Sequence, residues 1–487
     1  MIGDILKHIR RVARYAAVCA LICAFVLCAL AGCGVVPPDL SESATEASAL
    51  RTAEKPQITN PPPSDVPLPE PSEIIKEEKA LFALADINPV YEEYGAITIE
   101  GMKPEDYDKA MSTQWNPLST PGEPENMSVD LSKLMNYSDI EAYILNLNKY
   151  EGVEVFVIGQ SEQGRNIYMV KLDFGKASES DKPLIMLTGG VHAREFAGPE
   201  YLIKLLNDTV KKAQRDKYTK LLLESAVIVA VPLVNPDGRG LIIEGGDPDR
   251  KSNANGVDLN RAMPSVNAGQ LGAGHEPSED FSEEPGMDFF AGYNLGCESE
   301  TQAMMKWFNA YVPEASVYID LHQQGGITFY SKAFISERSD ALSREYAMQS
   351  NELLKGGYPP KDEGGSYGLS GVGGTFTDYA KSISEGFVYS YGLGRMALDA
   401  DGDELPLICF HDIDERMEYY RPVNPDFRSI CIEIGRTRKY LGAGERARKL
   451  REKEFIKYGW QKFLTGTIEI VIGEKRAREL RLEAKSG

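Results

Sequence analysis

The sequence predicts an α/β fold, a mostly parallel mixed sheet with helices on both faces. Three observations carry that expectation. Residues 153–158, 166–172, 183–189, 226–233, 315–321 and 428–434 are short apolar runs, several rich in β-branched residues. The run Ala226–Leu233 is apolar throughout rather than alternating, as in strands covered on both sides. Segments with helical spacing separate many of the runs, and strand–helix alternation is the pattern of a parallel sheet packed between helices. At 487 residues with 42% hydrophobic content, the chain can hold one large domain with extensions.

The amino-terminal part is not expected to belong to that fold. Lys7, Arg10, Arg11 and Arg14 precede the uncharged, mostly apolar stretch Tyr15–Ala31, the layout of an export signal over residues 1–32. The signal ends in Leu30-Ala31-Gly32-Cys33, which resembles a bacterial lipobox. That resemblance implies cleavage before Cys33, lipidation of Cys33, and an extracytoplasmic protein anchored by its lipid to a bacterial cell membrane. An uncleaved anchor is the alternative, since the apolar stretch is at the short edge of the spanning range. Residues 33–79 are rich in Pro, Ser and Glu and read as a disordered tether. Residues 80–130 carry scattered apolar clusters and are taken as an accessory or packing segment. The main domain is expected over 131–473, with a basic tail at 474–487.

Within that domain the elements follow in order. Ile140, Tyr143, Ile144 and Leu147 share one face of a helix from Ser138 to Tyr150, with Ser138 or Asp139 as cap. Strands at Val153–Ile158 and Asn166–Leu172 flank the turn Ser161–Arg165. The Pro183 strand leads through Gly189-Gly190 into a helix opened by Gly198-Pro199, where proline's missing N–H costs least. Asn235-Pro236-Asp237-Gly238 follows the next strand as a turn. Helix Glu298–Tyr311 precedes strand Ala315–Leu321. A helical stretch from about Ser336 to Leu354 comes next, and a late apolar strand runs from Arg428 to Ile434. The basic residues from Arg446 to Lys453 read as a solvated helix face.

The chemistry concentrates at strand ends. His192 and Glu195, spaced i and i+3, sit at the corner between the Pro183 strand and its helix, where open α/β sheets place ligands. An imidazole and a carboxylate there suit zinc, which in catalytic sites takes three protein ligands and keeps one position open. The chain has five histidines, and His8 lies in the signal. Of the rest, only His322 directly ends a strand, in Asp320-Leu321-His322. His275 and His411 lie in loops and are weaker candidates. Glu433 is an acid within an apolar strand, hence either a structural ion pair or a carboxylate facing a cleft. A net charge of −20 and the lack of a basic, aromatic-interleaved patch argue against nucleic acid. Cys297, Cys409 and Cys431 are the cysteines beyond Cys33, too few for a disulfide scaffold.

In order, Gly190-Val-His192-Ala-Arg-Glu195, Asn235-Pro-Asp-Gly238, Gly256-Val-Asp258-Leu-Asn260-Arg261, Asp320-Leu-His322 and Ile432-Glu433 resemble the zinc carboxypeptidases of the carboxypeptidase A-like (M14) family. The resemblance implies one Zn2+ per chain held by His192, Glu195 and His322, with Asp258 orienting His192. It implies Glu433 as general base, Arg250 as oxyanion partner with its neighbour Lys251 as a possible occupant of that place, and Asn260 and Arg261 gripping the terminal carboxylate of a peptide. Two departures concern specificity. Ala262-Met263 replaces the family's usual Asn-Phe or Asn-Trp, and the substrate-capping tyrosine has no unique counterpart, Tyr389, Tyr391, Tyr419 and Tyr420 all being candidates. Two other functions compete with the hydrolysis of C-terminal peptide bonds. One is cleavage of γ-D-glutamyl–diaminopimelate bonds in muropeptides, as in bacterial relatives of the same fold. The other is non-catalytic binding of peptide or cell wall.

Overall fold

The computed structural model describes residues 115–175, 182–263, 285–292, 296, 298–330, 337–362, 374–384, 397–398, 404–405 and 424–486. The signal, Cys33, the tether, His275, His411 and the four candidate tyrosines lie outside them. Among the described residues no helix is long and apolar enough to cross a membrane.

Helix α1 (Tyr137–Leu147) opens the ordered core, followed by strands β1 (Val153–Gln160), β2 (Asn166–Leu172) and β3 (Leu184–Gly189). Helices α2 (Ala197–Ala213) and α3 (Lys217–Glu224) lead to β4 (Val227–Val231) and α4 (Pro236–Gly245). Then come α5 (Ser299–Tyr311), β5 (Ala315–His322), β6 (Ile327–Tyr330), α6 (Glu337–Leu353), β7 (Pro360–Asp362) and α7 (Phe376–Ser384). The two-residue strands β8 (Ala397–Leu398) and β9 (Glu404–Leu405) pair with each other. Strand β10 (Arg428–Glu433) and helices α8 (Glu445–Lys457), α9 (Phe463–Ile472) and α10 (Glu474–Ser486) close the chain.

The main sheet has eight strands in the order β1-β2-β4-β3-β5-β10-β6-β7. Its centre, β4-β3-β5-β10, is parallel, while β1, β2 and β6 join antiparallel. The sheet is therefore mixed, with a parallel heart. All residues of β3 and β4 are buried, as their unbroken apolar sequence requires. Alternate side chains serve two cores: Ile185 and Leu187 pack with α2, α3, α6 and α9, while Leu184 and Met186 pack with α5 and α7. Trp307 and Phe308 anchor α5 in the second core, both fully buried.

Some local expectations shift. The cap of α1 is Asn136, in a reciprocal capping box with Asp139, two residues before the residue first suggested. Asn235–Gly238 is not an isolated turn. The Asn235 side chain accepts from the Gly238 amide, Pro236 takes the first helical position, and α4 begins. The basic face after Arg446 is solvated only in part. Arg451 is fully buried, donating to both oxygens of the equally buried Glu200 on α2. Residues 115–131 also join the domain: Leu118 pairs with Val155, and Val129 and Leu131 enter the first core. Residues 474–486 of the tail form α10, with Ala477 and Leu480 buried.

Candidate active site

Strands β3, β5 and β10 lie side by side, and the site forms beyond their carboxyl ends. The register brings Thr188 level with Asp320, and Glu433 level with His322. Residues level on neighbouring strands project to the same face, so Glu433 and His322 are neighbours by construction. After β3 the chain turns at Gly190, whose φ of 69° favours glycine and whose Cβ would meet Pro199 at 2.6 Å. The loop that follows carries His192 and Glu195. It is pinned from α4's start, with the Asn235 amide donating to the Gly190 carbonyl (3.0 Å) and Asn235 Nδ2 to the Val191 carbonyl (3.1 Å).

Three side chains converge. His192 Nδ1 lies 2.7 Å from Glu195 Oε1, and His322 Nδ1 lies 3.0 Å from Glu195 Oε2 and 3.1 Å from His192 Nδ1. The outer nitrogens are held by carboxylates: His192 Nε2 by Asp258 Oδ1 at 3.1 Å, and His322 Nε2 by Asp320 Oδ2 at 2.8 Å. Asp320 is steadied in turn by the Thr188 hydroxyl at 2.7 Å. In the tautomer where each Nε2–H donates outward to its carboxylate, both Nδ1 atoms turn acceptor lone pairs inward, onto a carboxylate that can only accept. Three acceptors facing one point, all buried, with ligand atoms within 4.8 Å of one another, need a cation between them. The donor set fits zinc, which takes imidazole nitrogen and carboxylate oxygen.

Electrostatics agree with this geometry. Burial opposes ionisation of Glu195, but His192 and His322 outweigh it and hold the carboxyl well below its usual range. Burial likewise opposes a charged His322, yet Asp320 and Glu195 push that ring well above the ordinary histidine value.

Glu433 is different. Burial and the nearby Glu195 charge raise it to about 7, against the opposing pull of His322 and Lys251. Its Oε2 is buried without a hydrogen-bond partner among the described residues. Gly325 lets the loop after β5 lie against it, since a Cβ there would approach Glu433 Cβ to 2.9 Å.

The turn after residue 250 supplies the cations. Lys251 Nζ donates to Asp258 Oδ2 at 2.6 Å, extending the chain His192–Asp258–Lys251. Burial opposes the charge on Asp258, but Lys251 and His192 overcome it and hold the carboxyl well below its usual range. Arg250 is not brought to the triad. Its guanidinium is engaged by the carbonyls of Asn253 and Ala254 and shapes the loop instead. The sequence put Arg250 first with Lys251 as a possible occupant; of the two, Lys251 is the one joined to Asp258 and through it to His192. Arg261 is buried, with Nη1 on the Asn260 carbonyl and Nε without a partner among the described residues. Asn260 Oδ1 accepts from the Phe376 amide at 2.9 Å and so ties the turn to α7. Ala262 and Met263, the departures from the family pattern, are both fully buried packing residues.

Two contributors were not legible beforehand. Gln323 closes the back of the site, its amide donating to Glu195 Oε2 (2.9 Å) and its Oε1 accepting from the Ala197 amide (3.0 Å). Phe289 lies under both site cations, its ring centroid 4.5 Å from Lys251 Nζ and 5.0 Å from Arg261 Cζ. The position of Gln323 beside His322 was the only signal for it, and nothing local marked Phe289.

A family model described as zinc carboxypeptidase (Peptidase M14) matches residues 140–397. The chain belongs to the zinc carboxypeptidase family. The match covers both histidines and Glu195 of the triad, together with Asp258, Asn260 and Arg261. It ends before Glu433, which β10's register alone brings to the site. A carboxypeptidase B from Helicoverpa zea is 26% identical over 299 residues, covering 56% of this chain and 66% of its own. A carboxypeptidase B from Astacus astacus is 27% identical over 222 residues, covering 44% and 68%. The chain thus spans about two thirds of the length of these relatives. Carboxypeptidase A from Helicoverpa armigera shares the fold, with a TM-score of 0.51 at 18% identity, covering 72% of this chain and 78% of that one.

Proposed function

We propose that the protein is a zinc-dependent metallocarboxypeptidase that removes C-terminal residues from extracytoplasmic peptides. The observation that carries this reading is a pair of orphaned buried atoms beside the triad. Among the described residues, Glu433 Oε2 is an acceptor without a donor, and Arg261 Nε is a donor without an acceptor. Burying either unmatched is costly, about 1–3 kcal/mol or more for a charged group. A water beside Glu433 and a free carboxylate beside Arg261 would satisfy both.

His192, Glu195 and His322 would hold the zinc, with Asp258 and Asp320 fixing the imidazoles. When bound, zinc supplies Lewis acidity that acidifies water and polarises a carbonyl. Glu433 takes the proton of the attacking water and returns it to the departing amine, a role suited to a carboxylate raised towards neutrality. Lys251 offers positive charge to the carbonyl oxygen as negative charge develops there. Arg261, with Asn260 holding the turn, selects substrates that end in a carboxylate. The extracytoplasmic, lipid-anchored setting rests on the charge pattern before Tyr15 and on Leu30–Cys33.

The test is hydrolysis by the signal-free, zinc-loaded protein of peptides with free and amidated C-termini, alongside a muropeptide with a γ-D-glutamyl–diaminopimelate bond. Release of single terminal residues from the free-carboxylate peptides alone supports the proposal. Cleavage of the muropeptide alone replaces it with wall-peptide hydrolysis, and binding of zinc and peptide with no turnover replaces it with a binding role.

A further inference from the structure

We propose that Phe289 is a positioning residue that holds Lys251 and Arg261 in register with the metal site and sharpens selection for a terminal carboxylate. This inference rests on the carboxypeptidase reading. The ring faces both cations, with Lys251 Nζ at 4.5 Å and Arg261 Cζ at 5.0 Å from its centroid, inside the range where an aromatic quadrupole attracts positive charge. The two cations repel each other. Asp258 pairs with Lys251 directly, whereas among the described residues Arg261 hydrogen-bonds only through Nη1 to the neighbouring Asn260 carbonyl. Asp258 attracts both cations through its charge, and the aromatic face adds a second attraction common to the two.

The backbone is arranged to present that ring. Phe289 adopts φ 70°, a left-handed conformation that a bulky residue keeps only where its surroundings enforce it. The surroundings do so on both sides. Asp288 forms a two-pronged ion pair with Arg194, at 3.3 and 3.1 Å, within the loop between His192 and Glu195. Next along, the Phe290 carbonyl accepts from the Asp258 amide at 2.7 Å. Gly286 donates to the Gly256 carbonyl at 2.8 Å, closing the segment onto the same turn. Phe290 itself is buried against Val257 and Ala262. The segment 285–290 therefore joins the metal loop to the Asp258–Arg261 turn, and Phe289 is held where both cations meet. A ring needed only for packing would not require a left-handed residue between two anchored neighbours.

The experiment compares Phe289→Leu, which keeps apolar bulk without the quadrupole, Phe289→Trp, which strengthens it, and Arg261→Ala, all in the zinc-loaded full domain. Two readouts are taken: KM and kcat on a peptide with a free C-terminus, and calorimetric affinity for an N-acetylated amino acid against its C-terminal amide. Phe289→Leu should raise KM and weaken the free acid by about threefold to thirtyfold, leave the amide within twofold, and keep one zinc per chain. Phe289→Trp should stay within threefold of the parent. In the Arg261→Ala background, Phe289→Leu should cost no further discrimination between acid and amide. Equal losses on acid and amide, equal losses in the Leu and Trp variants, or full additivity with Arg261→Ala would overturn the proposal. The two ideas fail separately. A parent protein that hydrolyses no peptide but prefers the acid by way of Phe289 leaves the inference standing and removes the activity.

Discussion

Replacing Glu433 by glutamine should abolish hydrolysis and at the same time stabilise the metal-free protein at alkaline pH. Glu433 is raised from 4.5 to about 7, chiefly by burial and then by the Glu195 charge. A folded-state pKa above the unfolded one means that the folded state holds the proton more tightly. The carboxyl therefore costs nothing below about 4.5, where both states are protonated; its burden grows above that and is complete once pH has risen through about 7. At 1.36 kcal/mol for each pKa unit, that burden is at most ~3 kcal/mol, and ~1–3 kcal/mol once the partial exposure of the residue is allowed for. Glutamine has no charge to bury. Urea unfolding of parent and variant, in chelator from pH 5 to 8.5, should give curves that separate progressively, with the variant more stable above pH 7. A constant gap at every pH, or a variant less stable at pH 8, would refute the claim that Glu433 is an unpaired buried acid.

Further predictions follow from the same geometry. Asp258→Asn should weaken zinc affinity by about 10–100-fold, measured by competition with a chromophoric chelator, because the carboxylate behind His192 sets its tautomer and basicity. His192→Ala or His322→Ala should abolish stoichiometric zinc, read by metal analysis after dialysis. Zinc bound beside Glu433 favours its ionised form, so the acid limb of kcat/KM should lie below the value of about 7 found without metal, and Glu433→Gln should remove that limb with the activity. Arg451→Met leaves Glu200 paired with Arg239 alone. Breaking a buried pair of this kind costs ~3–5 kcal/mol, which thermal unfolding should report as a large drop in Tm.

Much of this was readable in the chain because the relevant signals are local. β2 runs from Asn166 to Leu172 as expected, and β3, β5 and β10 fall within a residue or two of their apolar runs. His192, Glu195 and His322 were legible because strand ends gather ligands in a parallel sheet, so residues 130 apart in sequence could be paired by their place on strands. What could not be read depended on contacts between distant segments. Arg451 looks like any surface arginine in a basic helix, and only the folded chain brings it to Glu200, 251 residues away. Arg250 and Lys251 are adjacent, and which one faces Asp258 is settled by the course of a loop rather than by composition. Phe289 carries no sequence mark at all, since its role depends on a left-handed backbone that favours glycine.

The central claim is that His192, Glu195 and His322 bind one zinc ion, which Glu433 and Arg261 put to work on peptides ending in a carboxylate. The most direct measurement is turnover of matched free-acid and amidated peptides by protein loaded with one equivalent of zinc, with chelator-stripped protein as reference. The account predicts one zinc per chain, release of single terminal residues from the free acid only, and loss of that activity on stripping with recovery on zinc return. Equal cleavage of acid and amide, or undiminished cleavage after zinc removal, would contradict it.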